Sequence, residues 1–239
     1  MDAQRVKRLA LSVLFPERCA GCGRVIPPCT DFCVPCRKGL QRILPPVCPF
    51  CGHHRDSCTC RRRRRHYDRC AAPFLYDGTA RKALLRLKEE GRTDGIPLLA
   101  GEMAAVVRRE YGGQVFDGIV PVPVTSAVLR ERGFNQSALL AKGLARELGV
   151  PLLPALTKTA ETKPQKELPA AYRSGNVLGV FDVVGDMALE GTCLLLVDDI
   201  VTTGSTLDEC AKMLKIGGAA SVFVITAAAT LLGRREEKG

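Results

Sequence analysis

A mostly parallel α/β sheet flanked by helices, preceded by a small cysteine-rich module, is the fold this sequence predicts. Three observations predict it. After residue 70, helical spacings and short apolar runs alternate, the pattern of a parallel sheet with crossover helices. Cys193 to Val197 (CLLLV) and Ser221 to Ala227 are continuous apolar runs, as expected of strands covered on both faces. Ten of the twelve cysteines fall between Cys19 and Cys70, in a stretch rich in Pro and Arg with little periodicity. The 239 residues leave room for one ordinary domain, 71–239, and a small one, 1–70.

Taken in order, Arg5-Val6-Lys7-Arg8 followed by Leu9 to Phe15 imitates the basic and apolar regions of a secretory signal. It lacks an Ala-x-Ala site and runs into Pro16 and Cys19, so it is read as an amphipathic helix packed on the body of the protein. No segment approaches the roughly 20 apolar residues of a membrane span, and the expectation is a soluble, cytoplasmic protein. Thr79 to Glu90 places Ala83, Leu84 and Leu87 at helical spacing. Pro97 to Glu110 is a second helix, with its proline in the first turn. Asp117 to Val124 (DGIVPVPV) is a short β-rich run ended by prolines, and Asn135 to Leu148 is a helix that stops at Gly149. Leu152 to Leu156 reads as a strand. The polar stretch from Lys158 to Asn176, with Pro164 and Pro169, reads as a long functional loop. Leu207 to Ile216 is a helix closed by Gly217-Gly218, and Gly233 to Gly239 is a charged tail.

Hydrophobic and charged contents of 46% and 25% are those of a soluble globular chain, and the absence of Trp makes the core aliphatic. The net charge of +10 is localised. Residues 1–70 carry 15 Lys and Arg against 5 Asp and Glu, whereas residues 71–239 carry 20 of each.

The strongest motif is Leu194 to Thr206 (LLLVDDIVTTGST), in which a buried strand delivers two carboxylates and a hydroxyl- and Gly-containing turn opens a helix. Ligands of open α/β sheets sit beyond the carboxyl ends of strands. A helix start offers unpaired N–H groups and a positive dipole end to a phosphate. Thr202, Thr203, Ser205 and Thr206 add hydroxyl donors, and Gly204 permits close approach of the backbone. Asp198 and Asp199 repel phosphate but accept hydrogen bonds from ribose hydroxyls, so the motif describes a ribose 5-phosphate site. A plain N-capped helix explains one or two of these residues, not two acids and four hydroxyls together. A Walker A loop is excluded by the missing Gly-Lys-Ser/Thr ending.

Cys19-x2-Cys22 and Cys33-x2-Cys36 form two knuckles suited to one tetrahedral zinc. Cys48-x2-Cys51 with Cys58-x-Cys60 suits a second, although its last pair is one residue short. Cys29, His53, His54, His66 and Cys70 are alternative donors there, and crossed pairing between the sites stays open. Four thiolates leave no open coordination position, so the zinc is structural. Two such sites, each carrying −2, lower the charge of the module to about +6. Cys193 and Cys210 fall in apolar patterns and are read as core residues. Arg61, Arg62, Arg63, Arg64 and Arg65 are either a solvated linker or a contact for a polyanion such as single-stranded DNA. Phe32, Phe50 and Tyr67 are the aromatics that could stack on bases, too few for base recognition.

The VDDIVTTGST block resembles the signature loop of type I phosphoribosyltransferases, which bind phosphoribosyl pyrophosphate. With Leu85 to Lys88 (LRLK), Val120 to Val124 (VPVPV), Arg132 to Gln136 (RGFNQ), Gln165, Arg173, Asn176 and Phe181, the chain resembles the ComF family. That family comprises phosphoribosyltransferase-like proteins linked to bacterial DNA competence, GntX-like proteins included, with an N-terminal double zinc ribbon. The resemblance implies a type I phosphoribosyltransferase fold and a sugar-phosphate ligand accompanied by Mg²⁺. It implies that Asp198 and Asp199 hold the ribose hydroxyls and that Thr202 to Thr206 hold the 5′-phosphate. Arg130 and Arg132 would lie near the pyrophosphate, and the segment with Lys158, Gln165 and Arg173 would close over the site. The catalytic candidates are Asp198, Asp199, Arg132 and Lys158. The family usually carries Arg at the last position, and Lys keeps the charge but loses the bidentate fork. A DNA-uptake helicase is the partner the competence role implies. Two functions remain open: a Mg²⁺-dependent phosphoribosyltransferase, and a non-catalytic module that binds a nucleotide or DNA end.

Overall fold

A computed structural model describes residues 16–58, 60, 65–159, 180–185 and 187–230. A parallel sheet organises them. Its central strands are β6 (Cys193–Val201) and β7 (Ser221–Ala229), which pair over almost their whole length. Strand β3 (Gly118–Pro121) pairs with the other edge of β6, and Leu152 forms a further parallel bridge to Ile119. The outer edge of β7 is shared by two short strands, β1 (Arg69–Ala71) and β2 (Phe74–Leu75). Outside this sheet, β4 (Leu156–Lys158) and β5 (Phe181–Val183) form an antiparallel pair.

The alternation of side chains along β6 and β7 divides the core in two, as period 2 requires. Leu195, Val197, Phe223 and Ile225 face one side, against Leu84 and Leu87 of α2 (Gly78–Glu90), Leu99 and Met103 of α3 (Ile96–Glu110), and Leu140 and Leu144 of α5 (Gln136–Leu148). Leu194, Leu196, Val222 and Val224 face the other, against Leu207, Cys210 and Leu214 of α6 (Ser205–Ile216). Ile43, Val47 and Tyr67, which precede the sheet, and Cys70 of β1 complete that second core. Each of the four β6 residues Leu194 to Val197 is fully buried, a contribution of about 1.5–3 kcal/mol apiece.

Backbone bonds tie the cysteine-rich segment to the β1 and β2 edge. Cys70 N–H donates to the Pro49 carbonyl (2.7 Å), Ile43 N–H to Pro73, and Leu75 N–H to Gln41. Arg42 makes a two-pronged ion pair with Glu102 of α3. Within this segment, α1 (Val34–Lys38) follows Cys33. A small separate core gathers Cys19, Ala20, Ile26 and Phe32 against Ala83 of α2.

The helices expected at 79–90, 97–110, 135–148 and 207–216 are present with ends shifted by two residues at most. Asn135 caps α5 through Ser137 and Ala138 N–H. The expected strand at Leu152 to Leu156 is displaced: Leu152 makes only a bridge, and β4 begins at Leu156. Strands β6 and β7 extend past their apolar runs to Val201 and Ala229. A short helix, α4 (Ser126–Arg132), and strands β1, β2 and β5 were not foreseen. The N-terminal amphipathic helix, the charged tail and most of the polar 158–176 stretch lie outside the described residues. Among the described residues, no helix is long and apolar enough to cross a membrane.

Candidate functional site

Strand β3 stops pairing at Pro121, opposite Val197, so β6 runs on beyond its neighbour and presents Asp198 and Asp199 past that edge. The proline is followed by a chain that leaves the sheet after one last bond, from Val122 N–H to the Val197 carbonyl (2.9 Å). The Asn135 side chain donates to the Val122 carbonyl (2.9 Å) while capping α5. This anchors the start of α5 against the acids. The Ser137 hydroxyl donates to Asp198 at 2.7 Å, and the Gln136 amide lies 3.5 Å from Asp199. Gln136 and Ser137 are both buried, and the Gln136 amide oxygen has no hydrogen-bond partner. A buried acceptor left unpaired costs free energy.

Two adjacent carboxylates in a partly buried place do not both ionise easily. Burial and the neighbouring charge of Asp199 push Asp198 up to about 8, against the pull of the Ser137 hydroxyl and the Asp199 N–H. A raised carboxylate pKa means that the folded state binds the proton more tightly than the unfolded chain. Its contribution to stability is therefore complete below the ordinary carboxylate range and is lost as pH rises to about 8. The wild type is expected to lose about 1–3 kcal/mol relative to Asp198→Asn between pH 4 and pH 8, measured by urea unfolding of both proteins. Parallel stability curves would remove the proton from Asp198.

After Val201 the chain turns through Thr202 and Thr203 to Gly204, whose φ of 76° is left-handed and open to glycine at little cost. Gly204 occupies the N-cap of α6 and has no side chain to cap it, and the Thr203 hydroxyl oxygen accepts from Ser205 N–H at 3.4 Å, so capping accounts for Thr203 but not for the two acids. Thr203 and Ser205 hydroxyls pair with each other at 2.9 Å, and Thr202, Thr203, Ser205 and Thr206 are exposed. The turn thus presents hydroxyls and first-turn amides of α6 on the same end of the sheet as the two acids.

Sequence reasoning did not anticipate the wall beside this turn. Arg65 Nη2 donates to the Thr203 carbonyl (2.6 Å), His66 N–H donates to Asp208 of α6 (2.6 Å), and the Tyr67 hydroxyl donates to the Phe50 carbonyl (2.6 Å). Arg65, the last of the five arginines read as either a solvated linker or a polyanion contact, is thus held against the turn; Arg61 to Arg64 lie outside the described residues. Phe32 and Tyr67 are buried, which takes both from the few aromatics that could have stacked on bases: Phe32 packs with Cys19, Ala20 and Ile26, and Tyr67 packs in the core behind the sheet.

Among the described residues, the remaining expected ones make no hydrogen bond or ion pair with the acids. Arg130 and Arg132 form the last turn of α4, which Thr125 caps just after the VPVP segment. Lys158 ends β4, bridges in parallel to Thr125, and holds its ammonium 5.2 Å from the centre of the Phe181 ring. Gln165 and Arg173 lie outside the described residues. As site residues, Asn135 and Gln136 enter the sequence reading only as part of the RGFNQ motif, and Ser137 does not enter it. The cue for all three was the polar run opening an otherwise apolar helix.

The cysteines gather in two tetrads, Cys19, Cys22, Cys33, Cys36 and Cys48, Cys51, Cys58, Cys60, with sulfurs within 4.8 Å of one another in each. A tetrahedron with Zn–S bonds of about 2.3 Å has edges of about 3.8 Å. The sulfurs of Cys19 and Cys22 lie 3.7 and 3.8 Å from that of Cys33, and Cys48 to Cys60 is 3.8 Å, while Cys58 lies closer, 3.5, 3.3 and 3.2 Å from Cys51, Cys48 and Cys60. The donor set therefore fits zinc. Burial works against ionising Cys19, but the backbone N–H groups of Cys22, Cys33 and Gly21 and the Cys22 thiol bring its pKa down to about 6. Pairing is consecutive and not crossed. The alternative donors are placed elsewhere: His53 is buried outside the tetrads, His66 meets Asp208, Cys29 N–H bonds Glu17, and Cys70 is a core residue pushed up to about 12 by burial. Cys193 and Cys210 pack in the sheet cores as expected.

Comparison with known proteins follows the same division. Residues 10–72 match the double zinc ribbon domain and residues 135–238 the phosphoribosyl transferase domain. A glutamine phosphoribosylpyrophosphate amidotransferase from B. subtilis, solved with ADP and GMP, is 24% identical with a TM-score of 0.37, over 54% of this chain and 26% of that one. The competence protein ComFC of Bacillus subtilis (strain 168) is 29% identical over 84% of this chain and 85% of its own. The DNA utilization protein YhgH of Salmonella typhimurium (strain LT2) is 32% identical over 81% of this chain and 88% of its own. Identity of that order, sustained across both the cysteine module and the sheet, makes this chain a member of the ComF family.

Proposed function

We propose that the chain binds phosphoribosyl pyrophosphate, or a related ribose 5-phosphate ligand, with Mg²⁺ and transfers its phosphoribosyl group to an acceptor. The observation that carries this reading is the placement of the Asp198–Asp199 pair at the end of β6, followed by a glycine turn with exposed hydroxyls that opens α6. The acids would accept the ribose 2′- and 3′-hydroxyls, and the amides and hydroxyls of Thr202 to Thr206 would take the 5′-phosphate. In the transfer, the bond from C1 to pyrophosphate breaks and its electron pair leaves with pyrophosphate. The acceptor forms the new bond to C1 and gives up its proton. Mg²⁺ would enter with the pyrophosphate and neutralise part of its charge. Arg130, Arg132 and Lys158 are the basic groups available to the departing anion, and the segment with Gln165 and Arg173 would exclude water.

The test is pyrophosphate release from phosphoribosyl pyrophosphate, Mg²⁺ and a panel of nucleophilic acceptors. Turnover that disappears in Asp198→Ala supports transfer. Tight binding without turnover on every acceptor supports the second reading, a non-catalytic module for a nucleotide or DNA end. The concentration of the net positive charge in residues 1–70 favours that reading, as does the likeness to a competence protein and a DNA utilization protein. Under it, replacing Arg61 to Arg64 with Ser weakens single-stranded DNA binding and lowers its salt slope. Unchanged affinity and slope would remove these arginines from any DNA contact. A DNA-uptake helicase is the protein partner this reading implies.

A further inference from the structure

We propose that Arg65 is a positioning residue of the phosphate turn: by holding the Thr203 carbonyl, it sets the Thr203–Gly204 peptide with its N–H turned toward the bound anion. This rests on the ribose 5-phosphate reading above and adds to it a residue from outside the sheet domain's signature motif.

A trans peptide is planar, with its carbonyl and N–H pointing in opposite directions. The Arg65 guanidinium lies on the carbonyl side of this peptide, 2.6 Å from the Thr203 oxygen, so the Gly204 N–H faces away from it. A turn with a left-handed glycine can flip this peptide at little cost. The flipped form would present an acceptor where a phosphate needs a donor. A charge-assisted bond to the carbonyl selects the form in which the donor faces the ligand.

Arg65 is itself fixed from several directions. Its side chain is 17% exposed, and its other terminal nitrogen lies 3.8 Å from Asp208 in the first turn of α6. The next residue, His66, donates its N–H to the same carboxylate. Tyr67 then anchors on the Phe50 carbonyl, inside the knuckle between Cys48 and Cys51. A Cβ on Gly204 would come within 3.0 Å of the Tyr67 hydroxyl. The segment between the second cysteine cluster and β1 is therefore laid along the outer side of the turn, and glycine is the residue that lets it lie so close.

The experiment measures ribose 5-phosphate binding by calorimetry to the full-length, zinc-loaded wild type, Arg65→Ala, Arg65→Lys and Asp208→Asn proteins. Zinc content and amide spectra are recorded in parallel. Arg65→Ala is expected to weaken binding roughly tenfold or more, with zinc content unchanged. Gly204 and Ser205 amide signals should be displaced before ligand is added, while those of Leu196 and Val224 stay in place. Arg65→Lys should recover part of the affinity. Wild-type affinity in Arg65→Ala overturns the proposal and leaves the sugar-phosphate reading standing. Failure of the wild type to bind ribose 5-phosphate removes both. Lost zinc with displaced sheet amides in Arg65→Ala assigns the arginine to the fold, unless Asp208→Asn, with its zinc intact, reproduces the selective loss of affinity.

Discussion

Asp199→Asn is expected to abolish measurable binding of ribose 5-phosphate, raising its Kd at least about a hundredfold, while the free protein becomes more stable at pH 8. The two effects have one cause. Asp198 and Asp199 are consecutive, partly buried and mutually repelling, and the charge on Asp199 helps to hold Asp198 up to about 8. An amide at position 199 removes that charge, so ionising Asp198 becomes easier and the folded state loses less stability as pH rises. For a ligand the change is adverse. A hydrogen bond to a carboxylate contributes about 1.5–3 kcal/mol, and the substituted amide can turn a donor toward a hydroxyl that also donates. Asp198→Asn should lose binding similarly. Calorimetry and urea unfolding on the same preparations check both sides. Retained affinity would show that the acids do not hold the sugar, whereas loss of affinity together with loss of stability would mean that the substitution only damages the fold.

Removal of zinc is expected to have the largest effect on stability. Among the described residues, the first tetrad is surrounded by a small core of Cys19, Ala20, Ile26 and Phe32 with Ala83 and the half-buried Leu98, too little to hold its loops alone. Zinc binding by four thiolates is worth on the order of 10 kcal/mol or more in small modules. The second tetrad is adjacent to the cores that close the sheet, because Val47 and Tyr67 belong to them. A strong chelator should therefore release two zinc ions per chain, matching the two tetrads, and lower Tm by roughly 10 °C or more. Cys48→Ser should retain one ion and still weaken ribose 5-phosphate binding, since the Phe50 knuckle supports the Tyr67 anchor. Zinc is counted with a colorimetric chelator and Tm by calorimetry. A metal content of zero in protein purified under zinc-replete, reducing conditions, with unchanged folding, would sink the assignment.

The elements read correctly from the sequence were those whose signal is local and repeated. Cys193 to Val197 is apolar on both faces, and α2, α3, α5 and α6 each bury a stripe at helical spacing. Strands β1 and β2 have three and two residues and are separated by Ala72-Pro73, too short for any periodicity. Helix α4 buries nothing, so it has no apolar stripe to read. The same distinction applies at the site. Asp198, Asp199 and the glycine turn form one contiguous block. Ser137 and Gln136 reach the acids only because α5 docks on β6, and Arg65 reaches Thr203 across 138 positions of sequence. The cysteine tetrads were legible because each takes its ligands from neighbouring pairs.

The pairing of β1 and β2 with β7 has a consequence for biosynthesis. The first strands to leave the ribosome have no partner in the main sheet until residues 221–229 have been made. Until then Phe74 and the segment around it must wait, exposed or in the care of a chaperone, while most of the polypeptide is translated. Early metal capture by the cysteines would keep this waiting segment ordered. Completion of the sheet is then a late event in which the last strand inserts between β1 and β6 and closes the molecule.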